Sequence, residues 1–211
     1  MSTKQYPTLK DIERLLLSLE NVTAEQAAKA QLETAVWLWF HQDHRGVPYE
    51  PAAIHTLASA VQGLLHQIAR DTGQQPSRLA IRMSAKDKNA AILRRAQNFY
   101  KHGTYTGKSK QRRSVANIPD MTEMMLADNI GTYNRLFRRT TPLLELFLLR
   151  YSWSYPASKV RLKALEVELV KRLDIEKVRP FGPSRFYQTL IEVVVEIAKT
   201  GKLHSGSPPE T

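Results

Sequence analysis

Cysteine is absent from this chain, which excludes disulfide scaffolds, zinc ribbons and fingers, thiol nucleophiles and iron–sulfur ligation. The absence fits a reducing compartment. Long apolar runs are missing too. The longest, Ala35–Phe40 and Leu143–Leu149, have core-helix length, against the roughly 18 residues of a membrane span, so no membrane partner is expected. The opening Met1-Ser2-Thr3-Lys4-Gln5-Tyr6-Pro7 lacks the apolar stretch of a secretory signal, which predicts a cytoplasmic protein. Glycine is scarce, at nine residues. There is no glycine-rich phosphate loop, no Gly-x-Ser-x-Gly elbow and no paired-carboxylate signature, which disfavours nucleotide-dependent and serine-hydrolase chemistry.

What remains is a chain of 211 residues, 42% hydrophobic and 24% charged, an ordinary globular composition for one domain that buries its own core. Basic residues outnumber acidic ones, 31 against 20, for a net charge of +11. Such an excess favours a polyanionic partner, usually nucleic acid, and says nothing about the fold.

Apolar residues recur at helical spacing along most of the chain. Leu9, Ile12, Leu15, Leu16 and Leu19 predict a first helix near 8–20. Thr23 with Gln26 forms a capping-box pair for a second, running to about His41. Pro51 suits the first turn of a third over about 51–71, ending before Gly73, and its wide apolar stripe implies contacts on more than one side. Ser84 caps a fourth over about 85–102, closed by Gly103. Helices are further expected near 120–138, 142–154, 158–173 and 184–199, punctuated by Pro142, Pro156 and Pro183. The run Ile191-Glu192-Val193-Val194-Val195-Glu196-Ile197 is ambiguous: its β-branched residues favour a strand, its length and its glutamates four apart a helix. The fold class read from this pattern is all-α, a single-domain bundle of about seven or eight helices over 1–200. It carries a basic loop at about 103–119 and ends in a Gly/Ser/Pro-rich tail, 201–211.

Two features carry chemistry. Arg95 and His102 are seven residues apart on the fourth predicted helix, and Asn98 falls between them, so the three share one stripe. A histidine near neutral pKa can move a proton, and a fixed guanidinium can hold phosphate oxygens. Those parts suffice to cleave RNA through its own 2′-hydroxyl without a metal, with His102 as general base or acid, Arg95 on the phosphate and Asn98 orienting the histidine. The same residues also fit a helix end on which His102 meets the macrodipole and Asn98 is a polar bridge. The second feature is charge. Between Asp87 and Asp120 no acidic side chain occurs, while Lys88, Arg94, Arg95, Lys101, Lys108, Lys110, Arg112 and Arg113 give a local charge of +8. Lys101, Lys108, Lys110, Arg112 and Arg113, with Tyr105, combine phosphate-binding cations with a ring able to stack on bases. A solvated loop would carry such a run as well.

Other clusters read as structural. His41-Gln42-Asp43-His44 does not form a converging ligand set, so no metal site is expected. His55 lies in an apolar stripe and reads as a buried, hydrogen-bonded histidine. Trp37, Trp39 and Phe40, and Phe147 through Trp153, read as core or dimer-interface residues. No cofactor is implied.

Gln31-Leu32-Glu33-Thr34-Ala35-Val36-Trp37-Leu38-Trp39-Phe40, Ile54-His55-Thr56-Leu57-Ala58-Ser59-Ala60 and Asn98-Phe99-Tyr100-Lys101-His102 resemble segments of a group of uncharacterised bacterial all-helical proteins. These carry a similar His-Thr-Leu helix and an Asn-Phe-aromatic-Lys-His helix end. The resemblance covers roughly 24–156 and implies a fold but no activity. More loosely, the pair Arg95 and His102, with six residues between, resembles the motif of the HEPN superfamily, where a polar residue commonly stands at the position of Ala96. That likeness implies a helical bundle acting as a homodimer, with metal-independent ribonuclease activity in defence or toxin–antitoxin systems. Three readings follow: an RNA-cleaving enzyme, a non-catalytic nucleic-acid-binding module, and a module whose positive face meets an acidic protein partner.

Overall fold

The computed structural model describes residues 22–41, 51–75, 119–155 and 163–201. Within them the chain is helical throughout, with no strand. The helices are α1 (Ala24–Phe40), α2 (Pro51–Asp71), α3 (Pro119–Phe137), α4 (Pro142–Ser154), α5 (Lys163–Val170), α6 (Ile175–Val178) and α7 (Pro183–Lys199). The helices expected near 8–20 and 85–102, the loop 103–119 up to Pro119, and the tail beyond Gly201 lie outside the described residues.

Helix starts follow local chemistry. At α1 the Thr23 hydroxyl accepts from the Gln26 amide at 3.1 Å, and the Gln26 side chain accepts from the Thr23 amide at 2.8 Å. Both bonds satisfy donors the first turn would leave orphaned. Pro142 and Pro183 open α4 and α7 in the first turn, where a missing N–H costs nothing. Past the end of α2, Gly73 adopts the left-handed φ of +67° that a side chain would resist. Arg138 takes a similar φ of 54° after α3, at a cost of about 1 kcal/mol.

The run 191–197 is helical, part of α7. Phe186, Leu190, Val194 and Ile197 recur every three or four residues and are buried, while Glu192 and Glu196 are exposed. Burial of that stripe outweighs the β preference of the valines. One expectation needs correction. The helix expected over 158–173 is described from Lys163 and stops at Val170, and Ile175–Val178 forms a separate single turn. Asp174 precedes that turn and holds Lys177 at 2.9 Å, a local pairing that apolar periodicity does not register.

The register of side-chain contacts gives the topology. Glu25 meets Arg139 at 3.4 Å and Trp39 meets Glu123 at 3.2 Å, so α1 and α3 run antiparallel. His55 meets Thr122, Ala58 meets Asn129, and Gln75 meets Arg135, so α2 and α3 run parallel. The stretch 76–118 therefore joins opposite ends of the bundle, the C-terminal end of α2 and the N-terminal end of α3. Helix α4 is buried at six consecutive positions, Leu144 to Leu149, which places neighbours on all its sides. Its Phe147 packs edge-on against Trp39 at 4.9 Å. Phe186 of α7 inserts between Phe40 and Trp153. The described helices share one contiguous core, and none of them is long and apolar enough to cross a membrane.

Candidate functional site

The sequence-predicted site residues, Arg95, Asn98, Lys101, His102, Tyr105, Lys108, Lys110, Arg112 and Arg113, all fall between 76 and 118, outside the described residues. The described helices show where that stretch departs and returns. It leaves beyond Gln75, whose carbonyl accepts from the Arg135 guanidinium at 2.9 Å, and it re-enters at Pro119, the first residue of α3.

A polar seam between α2 and α3 begins next to that re-entry point. His55, Ser59 and Gln62 recur on one face of α2; Thr122, Asn129 and Thr132 recur on α3, and all six are buried. The His55 ring nitrogen Nδ1 lies 3.0 Å from the Thr122 hydroxyl, and the Asn129 amide donates to the Ala58 carbonyl at 2.7 Å. His55 is 2% exposed, and burial pulls its pKa down to about 4. The ring is neutral at physiological pH, as the sequence reading of a buried, hydrogen-bonded histidine expects. In water-poor surroundings such directional bonds fix the register of two helices that apolar contacts alone would leave free to slide.

Glu145 was missed by sequence reasoning. It lies in the first turn of α4, 3% exposed, within the apolar run Leu143–Leu149. Burial pushes its pKa up to about 7. The neighbouring Thr140 hydroxyl opposes that shift without reaching hydrogen-bond geometry. Among the described residues no ion pair engages the carboxylate. The signal was in the sequence, because one charged residue in a seven-residue apolar run has little chance of reaching solvent.

Near the N-terminus of α1 a half-open pocket of ≈ 390 Å³ is lined by Thr23, Lys29, Tyr133, Arg139, Thr140 and Thr141, with Glu25 at its edge. Arg139 pairs with Glu25 there, and Lys29 adds one further positive charge. Burial, then the carboxylates of Glu25 and Glu33, raise the Tyr133 phenol.

The opposite end of α1 is different. Trp37, expected in the core or a dimer interface, is 44% exposed. Two positions separate it from Trp39, a turn of about 200° around the helix, so burying Trp39 directs Trp37 outward. Its indole stacks on the His41 ring with centroids 4.1 Å apart and planes 19° from parallel. His41 Nδ1 is bonded to the Trp37 carbonyl at 2.8 Å, and the Tyr187 ring abuts His41 edge-on at 4.8 Å. At the start of α7 the guanidinium of Arg185 lies 4.0 Å above Phe181, and that of Arg179, which follows α6 and pairs with Glu176 at 3.1 Å, lies 5.4 Å from Trp153 of α4. No group of three potential metal ligands converges among the described residues. Comparison with protein-family models, with curated proteins and with solved structures finds no match to this chain.

Proposed function

We propose that this protein binds RNA through its acid-free stretch, and that Arg95, Asn98 and His102 cleave the bound strand without a metal, in the manner of the HEPN ribonucleases their spacing resembles. One observation carries the reading. The 32 residues between Asp87 and Asp120 hold +8 of the net +11, leaving +3 for the rest of the chain. A charge so concentrated builds a local field, whereas the same excess spread over the surface would only aid solubility. The basic residues follow Arg95 and His102 within a few positions, so binding and chemistry act on one stretch of chain. A homodimer would bring two such stretches together. The topology supports the reading in that the connection containing the acid-free stretch leads from the C-terminal end of α2 to the N-terminal end of the parallel α3.

The test uses purified full-length protein with labelled single-stranded RNA in EDTA, following retardation and cleavage together. Wild type is expected to retard and to cleave, and His102→Ala to retard without cleaving. Neutralising Lys108, Lys110, Arg112 and Arg113 should flatten the logarithmic salt dependence of binding by up to about 3, at roughly 0.7 per phosphate contact on single strands. Cleavage by His102→Ala at the wild-type rate would end the catalytic assignment. Salt dependence unchanged in the neutralised variant would remove the stretch from the argument.

A further inference from the structure

We infer that the pocket where α1 and α4 begin is a binding site for the phosphate group of a small phosphomonoester. None of its residues belongs to the acid-free stretch, so the inference goes beyond the RNA-binding reading and does not rest on it. Two helices start at its wall, α1 behind the N-cap Thr23 and α4 behind the N-cap Thr141. Each cap hydroxyl spends a lone pair locally: Thr23 accepts from the Gln26 amide at 3.1 Å and Thr141 from the Leu144 amide at 3.4 Å. A hydroxyl that caps in this way keeps its own proton to give. Among the described residues neither proton meets an acceptor. Tyr133 is the third donor. Its ring packs against Phe137 and the residue is 1% exposed, yet it lines the pocket. The Glu25 carboxylate raises the phenol without closing a hydrogen bond to it. A buried hydroxyl left in that state carries a desolvation cost that an incoming acceptor removes.

Formal charge is close to balanced here. Lys29 and Arg139 stand against Glu25 at the edge and Glu33, which lies outside the lining one turn beyond Lys29. Arg139 holds Glu25 at 3.4 Å, and Lys29 pairs with neither acid. Hydrogen-bonding capacity therefore selects the ligand. The unengaged groups are donors, three hydroxyls and an ammonium, joined by the positive ends of two helix dipoles. The carboxylate at the edge is already taken by a guanidinium. Such a lining fits a ligand that carries negative charge and offers acceptors alone. The donors belong to α1, to α3 and to the turn leading into α4, so they close on the space from several directions. A carboxylate presents its acceptors in one plane, whereas a phosphate spreads three strong acceptor oxygens tetrahedrally. A volume of ≈ 390 Å³ with an open side leaves room for a small organic group beyond the phosphate.

The experiment titrates the full chain at low salt with glycerol phosphate, inorganic phosphate and acetate, following heat of binding. Wild type is expected to take up both phosphates saturably, and acetate roughly tenfold more weakly or less. Tyr133→Phe removes only the hydroxyl and keeps the packed ring, so its melting temperature should not fall. It should weaken phosphate binding about tenfold, the worth of one hydrogen bond to a charged group. Lys29→Gln, an exposed change, should weaken it about threefold. Neutralising Lys108, Lys110, Arg112 and Arg113 together should leave phosphate affinity within about twofold, because exposed charges outside the pocket are largely screened. No saturable uptake by wild type below about 10 mM would overturn the site. So would acetate binding as tight as phosphate, wild-type affinity in Tyr133→Phe, or a greater loss in the neutralised variant than in Lys29→Gln. The RNA retardation and cleavage assays are read independently of all four results.

Discussion

Glu145→Gln should make the protein more stable, and only on the alkaline side. The wild-type carboxyl is 3% exposed and burial holds its pKa at about 7, above the ordinary 4.5. Below pH 4.5 the group is protonated in folded and unfolded chains alike and favours neither. Between 4.5 and 7 the unfolded chain has released a proton that the folded chain still binds, so stability falls as pH rises. Above 7 the folded chain must carry a buried charge, and the accumulated loss is about 3 kcal/mol. For a domain of this size that is on the order of 10 °C in Tm. Glutamine keeps the shape and removes the charge. Urea unfolding of both proteins from pH 4.5 to pH 8 should show stabilities close together at the acid end and diverging steadily upward, with the variant ahead at pH 8. Parallel curves, or a variant weaker than wild type at pH 8, would refute the reasoning, because they require an ionised Glu145 that is compensated in the folded state.

Two further substitutions probe the seam. His55→Asn should remove an acid-side loss of stability. The folded pKa of about 4 lies below the ordinary 6.5, so the wild-type contribution is whole above 6.5 and fades as pH falls through 4; because Glu145 acts with the opposite sign over the same range, the comparison is made with Glu145→Gln present in both proteins, where urea midpoints at pH 5 and pH 7 should differ less with His55→Asn than without it. Asn129→Ala removes the side-chain hydrogen bond that the Ala58 carbonyl accepts beside its helical one, and opens a small void between α2 and α3. It should cost about 2 kcal/mol at any pH, read by the same unfolding measurement; a cost under about 0.5 kcal/mol would mean that the bond to Ala58 adds little.

The parts of the fold legible in the sequence are those decided within a turn or two of chain. Thr23 with Gln26, Pro51, Pro142 and Pro183 mark helix starts through local hydrogen bonds and a fixed φ, and the helices begin there. The stripe Phe186, Leu190, Val194 and Ile197 likewise settles the β-branched run as helix. What could not be read depends on neighbours distant in sequence. The parallel pairing of α2 and α3 rests on His55–Thr122 and Ala58–Asn129, contacts no periodicity encodes. Burial of Glu145 depends on elements surrounding α4 on every side. Trp37 was legible in principle, because its angular offset of about 200° from Trp39 already turns it away from the core, but an apolar cluster in sequence disguises two opposite helix faces. Arg95, Asn98 and His102 remain a spacing argument, since they lie outside the described residues.

The parallel run of α2 and α3 also bears on how the chain reaches this state. The two helices touch at residues separated by 67 positions in sequence, whereas α1 and α2 are joined by a short connection and pack as an antiparallel pair. Local pairs form early, because little chain entropy is lost in bringing their ends together, and distant pairs must wait. The seam is then a late-closing contact, and its directional bonds select the register of a meeting that the intervening chain does little to guide. Closure entropy grows only logarithmically with loop length, by about 0.6 kcal/mol for each doubling. Bringing together the ends of the 43-residue connection between Gln75 and Pro119 thus costs only about 0.6 kcal/mol more in closure entropy than a connection half as long.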